Sequence, residues 1–137
     1  MIRYFEKTQV EDVIIERVNL GKVTLIESKV IWERLQNDII QGHNKIIADL
    51  SSCNFIDSSL VGVMVRAQHM LLKNHGNLKI VMPSNQVLEI FNSVDLSGNI
   101  NIYEILEDAV NSFNGNSKFK KSQHFPAEKA CEPLYTK

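Results

Sequence analysis

An acid and two hydroxyls stand together at Asp57-Ser58-Ser59, preceded by the polar run Ser51-Ser52-Cys53-Asn54 and by Phe55-Ile56. Residues of these types support three kinds of chemistry. A serine or cysteine is a nucleophile when a histidine takes its proton and an acid orients that histidine. A serine can instead accept a phosphoryl group and gain about −1.5 to −2 charge. In the third case the oxygens only cap a helix, accepting bonds from first-turn N–H groups that lack intrahelical partners.

The nucleophilic reading needs a base from His43, His69, His75 or His124. His43 and His75 stand beside Gly42 and Gly76 at expected helix ends, where a cationic side chain meets the negative end of the helix dipole. His69 falls within an expected helix and His124 in the last segment, and neither forms a spaced pair. The cysteines, Cys53 and Cys131, are far apart and show no CxxC or Cys/His spacing, which argues against a zinc site or a disulfide framework. Cys53 reads as a small buried residue, and Trp32 as core or rim. No G-x-G-x-x-G or Walker loop occurs, so a nucleotide site in this chain has no support. A phosphoaspartate at Asp49 or Asp57 would need an acidic pair after the first strand to hold magnesium, and none is present. The expectation is a protein without catalytic residues, metal or cofactor.

Composition narrows the partners. Fifteen Lys and Arg face 16 Asp and Glu, and neither sign dominates a long stretch before the final segment, so no surface that tracks phosphates is expected. With 137 residues, 44% of them hydrophobic, the chain can bury one sizeable core. The start MIRYFEKTQVEDV lacks the apolar centre of a signal peptide, and no run of about 18 apolar residues suggests a membrane span. A cytoplasmic protein without a membrane span and without a nucleic-acid partner is expected.

The elements that must hold Asp57 to Ser59 follow from periodicity. Two β-rich runs, Val10 to Val18 and Val23 to Ile26, flank Asn19-Leu20-Gly21 and predict a hairpin or sheet edge. From Ser28, apolar residues at Val30, Ile31, Leu35, Ile39 and Ile40 predict an amphipathic helix that stops at Gly42. Lys45 to Leu50 predicts a strand. A helix beginning near Ser59 buries Leu60, Val63, Met64, Ala67 and Leu71 and stops at His75-Gly76, before a strand from Leu78 to Met82. Strand, helix, strand at this spacing is a right-handed βαβ unit, whose first loop opens at the carboxyl edge of the sheet, where functional groups gather. A short helix through Val87, Leu88, Ile90 and Phe91, a strand from Asn99 to Tyr103 and a helix from Leu106 to Phe113 complete an α/β domain over residues 1–113. Residues 114–137 have few aliphatic side chains, two prolines and five lysines, and read as a polar, flexible tail or as a segment that orders against a partner or a second copy, leaving a homodimer open.

The phrase IIADLSSCNFIDSSLVGV from Ile46 to Val63, followed by LLKNHGNLKIV from Leu71 to Val81, resembles the STAS domain of bacterial anti-sigma factor antagonists. The likeness runs from about Val10 to Phe113. It implies a mixed sheet of four to five strands with helices packed mainly on one side. It also implies an anti-sigma factor serine kinase as partner, which brings its own ATP and magnesium, phosphorylates Ser58 and thereby releases the antagonist, while a PP2C-type phosphatase resets it. By the same resemblance Asp57 is the flanking acid, Ser59 a cap or secondary hydroxyl, and Asn54, Phe55, Leu60, Val61 and Gly62 the docking surface. Two positions depart from the antagonist pattern. Leu60 stands where glycine is usual, and Asn19 to Leu25 lack the acidic G-E-L-D turn. The alternative within the family is a non-switching subunit of a lipid-transport or stressosome-like complex, in which Asp57-Ser58-Ser59 is only a cap.

Overall fold

The structure, a computed structural model, describes residues 3–82 and 100–114. Strands β1 (Phe5–Val10) and β2 (Val13–Val18) form an antiparallel hairpin that pairs Val10 with Val13. The turn is Glu11-Asp12, with Glu11 at φ 57°. The expected hairpin about Asn19-Leu20-Gly21 is therefore displaced. β1 escapes a reading by hydrophobicity because it is an edge strand, exposed from Lys7 to Val10, and has no apolar face to reveal it.

The expected strand from Val23 to Ile26 is also corrected. The paired strand is only Lys22–Val23, as β3, and helix α1 runs Leu25–Ile40, beginning three residues before the expected Ser28. Thr24 caps it. Its N–H and its hydroxyl both donate to Glu27 Oε1 at 2.9 Å, and this local T-x-x-E arrangement overrides the β preference of Val23 to Ile26. At the other end Gly42 takes φ 100° and closes the helix, as expected of glycine there.

β4 (Lys45–Asp49), β5 (Phe55–Ile56), α2 (Ser58–Lys73) and β6 (Asn77–Val81) follow, then β7 (Asn101–Tyr103) and α3 (Leu106–Phe113). The main sheet has the order β1-β2-β4-β6-β7, with β2, β4, β6 and β7 parallel, while β3 and β5 form a separate two-stranded parallel pair. The β4-α2-β6 unit is the expected crossover. Alternation along the strands divides the core. Ile14, Ile46, Ala48, Leu78 and Ile80 face α1 and α2, whereas Val13, Ile15, Ile47, Val81 and Tyr103 face α3. Two of the three described helices thus share one face of a mixed five-stranded sheet.

The end of α2 shows a division of labour between His75 and Gly76. His75, not the glycine, takes the left-handed conformation at φ 62°, and the N–H of Gly76 donates to Leu71 O at 2.7 Å, closing a Schellman turn. Gly76 is needed for another reason. A Cβ there would lie 2.4 Å from the carbonyl oxygen of Asn44, so only glycine lets the turn pass the start of β4. The expected helix from Val87 to Phe91 and the segment after Asn114 lie outside the described residues.

Candidate functional site

The loop that follows β4 is held by hydrogen bonds at both ends. Asp49 is buried, and its Oδ1 accepts from the Ser51 N–H at 3.1 Å and the Ser51 hydroxyl at 2.7 Å, while Oδ2 receives Arg17 Nε at 3.1 Å. Cys53 turns inward, its N–H bonded to Leu50 O at 3.0 Å. The N–H groups of Asn54 and Phe55 both donate to the carbonyl of Gly21, at 2.7 and 3.0 Å, and Asp57 N–H donates to Val23 O. The segment expected to be a hairpin turn is thus the anchor for the loop ahead of α2.

At Asp57 the chain is extended, and its Oδ1 accepts from the N–H of Ser59 at 2.9 Å. Asp57 is therefore the helix cap, and Ser59 supplies the capped amide, which corrects the expectation of Ser59 as cap. Ser58 is the first residue of α2 and is exposed, and Ser59 is half-buried. Of the five expected docking residues, Asn54, Phe55 and Gly62 are exposed. Leu60 and Val61 are not available to a partner, being 0% and 2% exposed in the core between α2 and the sheet. The helical period decides this. Residues 60, 61, 63, 64, 67, 68 and 71 form the buried stripe of α2, and Gly62 falls outside it. Leu60 therefore adds nothing to the surface that a usual glycine would expose.

Between α1 and α2 lies an open groove of about 490 Å³, with Ser58, Ser59 and Gly62 on the α2 side and Leu25, Ser28, Lys29 and Trp32 on the α1 side. A Cβ at Gly62 would meet nothing within 4 Å, so the groove beside this residue is open space. Farther along, the Arg66 guanidinium covers the Trp32 ring at 4.5 Å, a contact worth about 0.5–1 kcal/mol at an exposed site. Trp32 and Arg66 were not expected at the site. Their spacing from Ser58 carries no signal, because only the packing of the two helices brings them together.

Among the described residues, Cys53 and the histidines at and beyond the end of α2 are not placed for nucleophilic chemistry at Ser58. Burial, reinforced by the charge of Asp49, pushes the Cys53 thiol up to about 11, so it is not a thiolate at neutral pH. His69 lies 11 residues along α2 from Ser58, about 16 Å at the helical rise, and His75 lies beyond the far end of the same helix. Neither can act as base for Ser58. Asp49 is engaged by Arg17 and Ser51, and Asp57 by the helix, so neither serves as an open phosphoacceptor. Among the described residues no group of three or more His, Cys, Asp or Glu side chains could hold a metal, and no helix is long and apolar enough to cross a membrane.

Fold and site together match known proteins. The family profile described as the STAS domain matches residues 3–109, and the chain belongs to that family. A Thermotoga neapolitana protein provisionally described as an anti-sigma factor antagonist is 28% identical over 110 residues, spanning 77% of this chain and 94% of the relative. The crystal structure of a Thermotoga maritima protein with the same provisional description superposes with a TM-score of 0.71 at 23% identity, covering 80% of this chain and 94% of that one. The Bacillus anti-sigma factor antagonist SpoIIAA, in its unphosphorylated form, gives 0.65 at 21% identity, covering 81% of this chain and 98% of its own. The phosphorylated form of SpoIIAA gives 0.63. At these identities the structural likeness defines the fold, a mixed α/β sheet of the SpoIIAA type.

Proposed function

We propose that this protein is an anti-sigma factor antagonist that binds an anti-sigma factor serine kinase and is released when Ser58 is phosphorylated. The observation that carries the reading is the division of roles at the start of α2. Asp57 satisfies the cap, so the exposed hydroxyl of Ser58 is not needed for the fold. In the transfer, the Ser58 oxygen attacks the γ-phosphorus of the ATP held by the partner, the bond to the β-phosphate oxygen breaks, and ADP and the hydroxyl proton leave.

The docking surface comprises Asn54, Phe55 and Gly62, with the exposed Leu25 at the start of α1 lining the same groove as Gly62. A partner pressed against this surface must bury Ser58. A phosphoryl group at the positive end of a helix is tolerated by the fold, but burying an unpaired dianion under an apolar or acidic partner costs several kcal/mol. Binding is lost while the antagonist stays folded. A PP2C-type phosphatase would restore the hydroxyl. Residues 1–113 form the switching unit, with 114–137 as a polar appendage.

A non-switching role in a lipid-transport or stressosome-like complex would leave Asp57 as the only functional member of the triplet. The test is incubation of the purified protein with a candidate anti-sigma serine kinase and ATP, with site mapping by mass spectrometry. Ser58→Ala abolishes modification, Ser59→Ala does not, and Ser58→Asp prevents the complex that the parent forms. Equal binding of the parent and Ser58→Asp would refute switching.

A further inference from the structure

We propose that a phosphoryl group on Ser58 does not project into solvent but is held by Lys29 and Ser28 of α1, across the mouth of the α1–α2 groove. This deepens the proposed phosphorylation and rests on Ser58 being the acceptor. Ser28 supplies the leading observation. Its side chain is 1% exposed, its Oγ has no hydrogen-bond partner, and it lines the same groove as Ser58. A serine in a helix interior ordinarily turns its hydroxyl to the carbonyl four residues back or to water. Ser28 Oγ reaches no protein acceptor, so its donor is available to an acceptor that enters the groove.

The register of the helices places that acceptor. Both helices begin at the groove, since Leu25 and Ser58 line it, and the stack of Arg66 on Trp32 comes two turns later on each. α1 and α2 therefore run in the same direction with their first turns level. Ser28 and Lys29 stand about one turn, roughly 5.4 Å, beyond Ser58 along that direction. A lysine side chain spans that distance. Its ammonium is exposed at the rim, and a phosphoryl group with three acceptor oxygens can take the Ser28 hydroxyl and the Lys29 ammonium together.

The other charges that face this position are Asp57 at the cap, Glu33 on α1 and Arg66 on α2. Arg66 is engaged over Trp32, Glu27 is tied to Thr24, and Lys22, on β3 ahead of α1, does not line the groove, which leaves Lys29 among the described residues as the lining cation nearest the mouth. A phosphoryl group seated there covers the groove entrance. Phosphorylation then blocks docking by occupying the seat as well as by repulsion.

The test needs no kinase. Phosphoserine is installed at position 58 during translation, and the second ionisation of the phosphate is followed by phosphorus NMR as a function of pH. In the intact chain this pKa lies below that of the Lys29→Gln variant by about one unit, the lower end of what a nearby opposite charge produces. Ser28→Ala raises it by a smaller amount, and Glu33→Gln lowers it further by removing a competing anion. Lys29 is exposed, so Lys29→Gln retains the melting temperature of the parent in the unmodified protein. Identical titration of parent, Lys29→Gln and Ser28→Ala overturns the proposal, even if a kinase is shown to modify Ser58. If no kinase modifies Ser58, the titration still reports whether the seat exists.

Discussion

Glu16 on β2 offers a measurement of how this fold responds to pH. Its side chain is 5% exposed between the sheet and α1, with Arg34 Nε at 2.9 Å from Oε1 and Lys7 Nζ at 3.8 Å from Oε2. Asp38 on α1, fully buried, is paired with the same Lys7 at 2.7 Å. Burial, then the adjoining Asp38 carboxylate, outweigh Arg34 and push Glu16 up from 4.5 to about 7. The native state therefore holds a proton that the unfolded chain releases, and stability falls as pH rises from about 4.5 to about 7. Raising this carboxyl from 4.5 to about 7 corresponds to about 3 kcal/mol. For a domain of this size that is roughly 10 °C in melting temperature. Glu16→Gln keeps the shape and an acceptor for Arg34 but cannot ionise. Calorimetry from pH 4.5 to pH 8 should show the parent losing melting temperature by about this amount while the variant stays nearly flat. Parallel curves for the two proteins would refute the raised ionisation of Glu16.

Three further outcomes follow from particular contacts. Asp57→Ala removes the α2 cap and lowers stability by about 1 kcal/mol, whereas Ser58→Ala leaves the denaturation midpoint unchanged; an equal loss in both would mean that Ser58 shares the capping. Gly76→Ala drives a methyl group into the Asn44 carbonyl and costs at least 1–3 kcal/mol of overpacking strain, read from urea melts of the two proteins. Leu60→Ala opens the core and costs about 2–5 kcal/mol, while Gly62→Ala, whose Cβ meets open space, is neutral or stabilising by about 1 kcal/mol; the reverse order would place Leu60 on the docking surface after all.

Much of this architecture was legible because period and punctuation agree. The buried stripes of α1 and α2, the apolar β4 and β6, and the stops at Gly42 and His75-Gly76 follow from spacing alone, since each element must bury one face and end where the chain can turn. The phrase from Ile46 to Val63 also marked Ser58 as a candidate in the correct local context, a loop from a parallel strand into a helix. The Thr24-x-x-Glu27 capping box was present in the sequence as well, and reading it would have corrected the start of α1.

Other features had no local signature. β1 is recognisable only through its hydrogen bonds to β2, because an exposed edge strand needs no apolar pattern. Whether Leu60 or Gly62 faces a partner depends on the rotation of α2 against the sheet, and a half-turn separates the core from the groove. The clustering of Ser28, Lys29, Trp32 and Arg66 near Ser58, and of Lys7, Arg34 and Asp38 about Glu16, joins residues of separate elements through helix packing and strand pairing. Sequence spacing determines what each element buries. Only the packed arrangement decides which charges and hydroxyls share a site, because their proximity is set by long-range contacts that no local period records.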